Sequence, residues 1–435
     1  MDKIEIVGGQ KLQGSIRISG AKNAALPLMA CALLTAEPVV LKDVPELADI
    51  RTMQKVLEHF GMKIMRDGTT MTLQADNITQ FEAPYELVST MRASFWVLGP
   101  LLGRFGQARV SMPGGCAIGV RAVDRHLYVV HQLGAHIEMV AGYVECSCPD
   151  GLRGAPLSFG AGQLVTPFYD TSTFKPSVGA TMNALMASVL AKGTTEIFYA
   201  AIEPEVTDLA NCLVEMGARI SGIGTPHLHI EGVESLHGTT HTVIPDRVEA
   251  ATYAIAAAIT QGKLTLKNIK AELLQNVLDT LEQAGVDIQV GNDSLTISDA
   301  VWPLRPVHIT TKEYPGFPTD DQAQLMALMT LADGESSITE TIYENRFMHV
   351  PELCRMGAHI QLTDNTAVVK GVASLTGAPV MASDLRASAA LILAGLAAQG
   401  TTTVHRVYHL DRGYDNLVGK LQACGAHICR KSENN

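Results

Sequence analysis

Gly357-Ala358-His359-Ile360 follows an apolar, helix-like run and opens a short strand-like one, and the same phrase is written six times along the chain. The other copies are Gly61-Met62-Lys63-Ile64, Gly134-Ala135-His136-Ile137, Gly217-Ala218-Arg219-Ile220, Gly285-Val286-Asp287-Ile288 and Gly425-Ala426-His427-Ile428. Successive glycines lie 73, 83, 68, 72 and 68 residues apart. A recurring period of this size marks one supersecondary unit reused. Each unit is longer than a common solenoid repeat and large enough for a small sheet with two helices.

Within a unit the pattern is regular. Met53, Val56, Leu57 and Phe60 fall at i, i+3, i+4 and i+7 just before Gly61, one apolar helix face. Val277, Leu281 and Ala284 stand likewise before Gly285, and Leu417, Leu421 and Cys424 before Gly425. A glycine after such a face fits a left-handed helix end, with the Ile beginning a strand. An earlier helix is apolar nearly all round: Ala24 to Leu34, Ala180 to Ala191, Val248 to Ile259, Ala323 to Leu331 and Ala387 to Ala398. Helices of that kind are interior. β-rich runs such as Thr194 to Ala200 and Thr401 to Val407 follow Gly193 and Gly400. The alternation predicts an α/β fold with covered sheets, and 435 residues exceed one core, so six units make two domains of three.

Composition excludes several classes. The longest apolar helix is short of the roughly 20 residues that cross a bilayer, and the start Met1-Asp2-Lys3-Ile4-Glu5 has no signal-peptide core. Eight cysteines without a Cys-x-x-Cys point to a reducing, cytoplasmic setting. His227 with His229, and Cys146 with Cys148, lack zinc spacing and read as ordinary strand residues. With 33 basic against 44 acidic residues, a net charge of −11 and no basic run, nucleic acid is not expected as a partner. Gly160-Ala161-Gly162 lacks the third glycine of a dinucleotide loop, and no Gly-Lys-Ser/Thr closes a phosphate loop.

Chemistry is expected where the repeat is interrupted. Pro113, Gly114, Gly115 and Gly119 make a turn-rich loop with Cys116 at its centre, five residues before Arg121. A thiol in such a loop near a guanidinium has enhanced thiolate character, although most intracellular cysteines are passive small hydrophobes. Ser19-Gly20-Ala21-Lys22-Asn23-Ala24 places an ammonium and an amide at a helix start, where anions bind. Arg92, Arg386 and Arg412 stand at similar junctions and suggest a convergent cationic site. Phe317-Pro318-Thr319-Asp320-Asp321-Gln322 supplies a carboxylate at another, Asp320 as helix cap or general base.

These motifs closely resemble the enolpyruvyl transferases, and among them the UDP-N-acetylglucosamine 1-carboxyvinyltransferases. Pro113 to Gly119, Ser19 to Ala24, Ser177-Val178-Gly179-Ala180-Thr181, Pro245-Asp246-Arg247, Phe317 to Asp320, Glu344-Asn345-Arg346-Phe347 and Asp411-Arg412-Gly413-Tyr414 carry the resemblance, which runs from about Lys3 to Ile428. It implies a two-domain inside-out α/β barrel with three units per domain, residues 22–244 in one and residues 1–21 with 245–435 in the other, and a site in the cleft between. It implies transfer of the enolpyruvyl group of phosphoenolpyruvate to the 3′-hydroxyl of UDP-N-acetylglucosamine, the opening step of peptidoglycan synthesis, with no cofactor.

By the same resemblance Cys116 is the proton donor and adduct-forming thiol, and Lys22, Arg121 and Arg412, with Asn23 beside them, hold phosphoenolpyruvate. Asp320 is the base. Asp384 and Leu385 form a hinge pair ahead of Arg386. Arg92, the stretch Arg121, Ala122, Val123, Asp124 and Arg125, the stretch Lys175, Pro176, Ser177 and Val178, and Ile342 match sugar-nucleotide positions. Arg121-Ala122 stands where the family usually has Arg-Pro, which removes a fixed φ. The text from Pro156 to Thr173 is longer than the family pattern and is expected as a surface excursion. A 3-phosphoshikimate 1-carboxyvinyltransferase shares the repeats without calling for the Cys116 loop, and a non-catalytic regulator would not need Lys22, Cys116, Asp320 and Arg412 together.

Overall fold

The computed structural model describes residues 2–88, 91–112, 123–298, 300–343 and 345–432, with Arg92 as backbone only. All six repeat glycines take a left-handed φ, from +93° at Gly425 to +107° at Gly61. At Gly134, Gly357 and Gly425 there is open space where a Cβ would sit, so backbone conformation alone demands glycine there. The strands then begin two residues on, at Lys63, His136, Arg219, Asp287, His359 and His427.

Six four-stranded sheets result, one per repeat. In each, an edge strand pairs parallel with its neighbour and the remaining two strands pair antiparallel. In the fifth, His308–Thr310 runs parallel to Glu335–Thr339, which pairs with Thr366–Lys370, which pairs with His359–Thr363. The helix between the parallel strands and the helix before the glycine give each unit a βαβαββ order. Burial alternates along the strands, as in Thr194–Phe198, so one sheet face meets helices and the other meets solvent.

The described residues divide into two compact units, one within residues 20–112 and 123–244 and one within residues 2–19 and 245–432. The discontinuous unit draws two strands from the beginning of the chain. Gln13–Arg17 edges its first sheet beside Lys263–Lys267, and Asp2–Val7 lies inside its last between Thr401–His405 and His427–Ser432. In the continuous unit, Thr240–Thr242 returns to edge the sheet begun by Val39–Lys42.

One buried helix lies under each sheet: α1 (Lys22–Cys31), α2 (Leu98–Phe105), α3 (Val178–Ser188), α4 (Arg247–Ile259), α5 (Gln322–Met329) and α6 (Leu385–Ala397). Every residue of α5, and all of α4 after Arg247, is buried. Helices α4, α5 and α6 pack on one another, and α2 packs on α3 and on the turn Ala32–Leu34 that extends α1. Sheets outside and helices inside is the inside-out arrangement, realised in each unit. No described helix is long and apolar enough to cross a membrane.

The stretch Pro156 to Thr173 is only partly an excursion. Residues 161–165 are exposed, with Val165 at 68 %, but Leu157 and Phe159 enter the core and Pro156–Ser158 edges the third sheet. Tyr169 and Phe174 pack edge-on against Tyr128, which ties both ends of the excursion down.

Candidate active site

In the discontinuous unit, the first turns of α4, α5 and α6 bring polar groups together. Asp320 lies in the turn Thr319–Asp321 before α5 and does not cap that helix. Its carboxylate is gripped instead: Arg346 Nη2 donates to Oδ1 at 2.7 Å and Arg386 Nη2 to Oδ2 at 2.8 Å. Both arginines are buried, and Asp320 is about a quarter exposed. Burial opposes its ionisation, but the two guanidiniums outweigh burial and hold the carboxyl well below the usual range. Arg346 also donates to Thr319 Oγ1, and Arg386 to the Tyr414 hydroxyl. Burial pushes the Tyr414 phenol up to about 12, so it stays neutral and bonds Thr252 at 2.8 Å.

Neighbouring predicted residues have visible positioning roles. Asp384 caps α6, its Oδ1 accepting from the Arg386 and Ala387 N–H groups, and so sets the turn that aims Arg386. A Cβ on Gly413 would fall 2.5 Å from the Leu385 side chain, so the loop carrying Arg412 sits directly on Leu385. Ile342 donates its N–H to Glu340 Oε1 at 2.7 Å. Glu340, 4 % exposed, also accepts from Thr311, Thr319 and Tyr343, and thereby organises the loop around Ile342.

In the continuous unit, Lys22 opens α1 and its Nζ lies 3.3 Å from the buried Asp49 carboxylate, with Asn23 half-buried beside it. Ala21 supplies no side-chain cap, and its backbone carbonyl accepts from the Ala24 and Ala25 N–H groups. Arg125, in the first turn of the helix Asp124–Gln132, donates to the Thr173 carbonyl at 3.2 Å and stacks over Phe174. The two predicted sugar-nucleotide stretches, Val123 to Arg125 and Lys175 to Val178, are thus adjacent. Lys175 and Pro176 are exposed, while Ser177 caps α3 through Ala180 N–H and Trp96 Nε1 donates to the Gly179 carbonyl. Arg92 begins the turn that carries Trp96.

Cys116, Arg121 and Ala122 lie outside the described residues. The other seven cysteines are free thiols, and no cluster among the described residues could hold a metal ion. His227 and His229 lie in the strand His227–Glu231, and Cys146 in Tyr143–Ser147. Arg346, Tyr414, Gln324, Thr252, Glu340 and Asp321 escaped the sequence analysis as site residues. Arg346, Tyr414 and Asp321 stood inside quoted motifs. The others carried no signal, since a Gln, a Thr or a Glu near a helix start is ordinary surface text.

A family model for EPSP synthase (3-phosphoshikimate 1-carboxyvinyltransferase) matches residues 6–421. A UDP-N-acetylglucosamine 1-carboxyvinyltransferase of Rhodopseudomonas palustris (strain BisB5) is 54 % identical, over 99 % of this chain and 100 % of its own. One of Xanthobacter autotrophicus gives the same identity and coverage. Among solved structures, the enolpyruvyl transferase NikO of Streptomyces tendae superposes with a TM-score of 0.89 at 29 % identity, covering 100 % of this chain and 99 % of that one. An EPSP synthase of Acinetobacter baumannii shares the fold, with a TM-score of 0.77 at 16 % identity.

Proposed function

The chain belongs to the enolpyruvyl transferase family, and from that premise we propose that it moves the enolpyruvyl group of phosphoenolpyruvate onto the 3′-hydroxyl of UDP-N-acetylglucosamine and releases phosphate. That is the first committed step of peptidoglycan synthesis. The observation that carries the choice of acceptor is the 54 % identity, without truncation, to transferases named for UDP-N-acetylglucosamine. A cytoplasmic reaction goes with this reading, since both substrates are water-soluble phosphate compounds.

The chemistry needs an acid, a base and several cations. Protonation of C3 of phosphoenolpyruvate makes C2 electrophilic, the sugar oxygen adds there as its proton leaves, and the tetrahedral ketal then loses phosphate and a C3 proton. In this reading Cys116 is the acid, and Lys22, Asn23, Arg121 and Arg412 hold the phosphate and carboxylate of phosphoenolpyruvate. Arg92, residues 121–125, residues 175–178 and Ile342 hold the sugar nucleotide. Asp320 accepts the hydroxyl proton. Its low proton affinity, set by the two guanidiniums, supports a carboxylate that is ionised when the substrates bind.

The test is phosphate release from phosphoenolpyruvate by the purified chain, with UDP-N-acetylglucosamine and separately with shikimate 3-phosphate. Release with the sugar nucleotide alone is expected. Release with shikimate 3-phosphate alone would refute the acceptor, and release with neither would refute the reaction. Cys116→Ser is expected to abolish covalent labelling by phosphoenolpyruvate, and retained labelling would move the adduct to another cysteine.

A further inference from the structure

Asp320 is held at both ends of the residue. Its carboxylate takes Arg346 on one oxygen at 2.7 Å and Arg386 on the other at 2.8 Å. Its backbone carbonyl, just before α5, accepts from Gln324 Nε2 at 2.9 Å. A carbonyl only accepts, so the Gln324 amide is placed with its nitrogen toward Asp320. That orientation leaves Gln324 Oε1 without a hydrogen-bond partner among the described residues, so the bonds of the nitrogen set it.

Both ends lead to one hydroxyl. Tyr414 Oη lies 3.4 Å from Arg386 Nη1, 3.4 Å from Gln324 Nε2 and 2.8 Å from Thr252 Oγ1. The guanidinium and amide nitrogens only donate, so the phenol oxygen accepts from them and its one hydrogen goes to Thr252. Thr252 agrees from its own side, since it gives its hydrogen to the Val248 carbonyl at 2.8 Å and accepts from Gln324 Nε2 at 3.2 Å. Gln324 thus spends one N–H on Asp320 and shares the other between Thr252 and Tyr414. Thr252, Gln324, Arg386 and Tyr414 are all buried. Burial pushes the phenol up to about 12, which keeps it a donor at neutral pH.

The bonds close a ring: Asp320 carboxylate, Arg386, Tyr414, Thr252, Gln324, Asp320 carbonyl. It spans α4, α5, α6 and the segment just after Arg412, and the branch from the carboxylate meets the branch from the carbonyl at Tyr414. Such a network fixes a direction as well as a position, and a general base works only within hydrogen-bond reach of the proton it takes. A tyrosine that merely filled space would do the same as phenylalanine. We propose that the Tyr414 hydroxyl is a positioning group for the reaction, closing this ring and so fixing the aim of the Asp320 carboxylate at the sugar hydroxyl. This role rests on the reading of Asp320 as the base.

The experiment measures kcat and both KM values of the full chain for the wild type, Tyr414→Phe, Gln324→Met and the double variant. Tyr414→Phe keeps the aromatic ring and removes one oxygen. Its kcat is expected to fall about tenfold, a part of the 10²-fold that a misplacement of about 1 Å can cost. Both KM values stay within about twofold, because lost alignment is felt in the transition state. Gln324→Met cuts the ring on its other side and lowers kcat likewise. The double variant stays within about twofold of the slower single one, since a ring cut once is already open. A wild-type kcat in Tyr414→Phe overturns the role, as do losses that multiply in the double variant. A raised KM for phosphoenolpyruvate at unchanged kcat also overturns it, and moves the work of the hydroxyl to the turn that carries Arg412. Should Tyr414→Phe fail to fold, Thr252→Val takes its place: the same fall in kcat at unchanged KM supports the proposal and a wild-type kcat overturns it. If the wild type itself releases no phosphate with the sugar nucleotide, the reading of the reaction falls and this role with it, whereas an active wild type with an unchanged Phe variant removes only the role of Tyr414.

Discussion

Helices α1 to α3 and helices α4 to α6 lie in equivalent places beneath equivalent sheets, yet they bury different polar chemistry. Under the continuous unit the central polar group is neutral. Asn183, fully buried, accepts from Gly99 N–H at 2.8 Å, donates to the Phe95 carbonyl and meets His126 Nδ1 at 2.7 Å. Its donors and acceptors are matched, and a matched neutral network fixes one packing. Under the discontinuous unit the first turns of the helices carry Arg386, Asp320 and Asp321, with unpaired atoms remaining on Asp321, Gln322 and Gln324. The same backbone thus buries a matched neutral amide network in one unit and a charged cluster in the other.

The largest effects should come from the charged interior. Asp320→Asn removes the proton acceptor and leaves two buried guanidiniums without an anion. Activity is expected to fall about 10²–10⁴-fold. Stability should fall by about 2 kcal/mol, less than for a fully enclosed pair because Asp320 is 26 % exposed. Near-normal turnover by the Asn variant would show that the charged interior is structural and would erase the contrast.

The neutral interior is tested by Gly99→Ala. A Cβ there would sit 2.6 Å from both the backbone carbonyl and the side-chain oxygen of Asn183, where α2 and α3 approach most closely. Overpacking against backbone costs about 1–3 kcal/mol, more than the propensity gained by replacing glycine in a helix. A lower thermal midpoint is expected, with the affinity for phosphoenolpyruvate unchanged. An unchanged midpoint would mean that this interior yields to the added methyl.

Each unit also buries a histidine, and the two are shifted in opposite directions. Burial disfavours charge on His241, but Asp208 at 3.1 Å and Glu215 at 2.8 Å prevail and raise it to about 9. Its stabilising contribution is complete below the unfolded value near 6.5 and is lost as pH rises through about 9. Burial lowers His349 to about 4, so the unfolded chain takes up a proton first and stability is lost as pH falls from about 6.5 toward 4. Each arm is on the order of 3 kcal/mol. Unfolding by urea across pH should flatten on the alkaline side in His241→Gln and on the acid side in His349→Leu. A His241 variant with the wild-type alkaline slope would remove the ion-pair explanation.

The contrast also explains what could be read from the sequence. Gly-x-x-Ile phrases and all-apolar helices are local consequences of a left-handed glycine and of burial, so the six units were legible. The second repeat's own interior helix, Leu98–Phe105, was not among the expected five, because Pro100 and two glycines interrupt its apolar run. Asp320 and Arg386 were legible as candidates from motifs. Their direct bond was not, since 66 residues separate them and only the packing of α5 against α6 brings them together. Asp321 stood in the same motif without being singled out, because a second aspartate at a helix start reads as a solvated cap and only burial makes it otherwise.

Helix caps give the smallest and most direct comparison between the units. Asp384 Oδ1 accepts two N–H groups at 2.9 and 3.1 Å at the start of α6, whereas Ser177 Oγ accepts one at 3.4 Å at the start of α3. Asp384→Ala should cost about 1–2 kcal/mol and Ser177→Ala no more than about 0.5 kcal/mol, the two ends of the range for lost caps. The Asp384 change should also lower kcat, because the turn it fixes is the one that aims Arg386, and Asp384→Ser, which keeps a capping oxygen, should recover most of both losses. Equal costs at the two caps, with kcat untouched in either variant, would mean that the first turn of α6 holds Arg386 by packing alone.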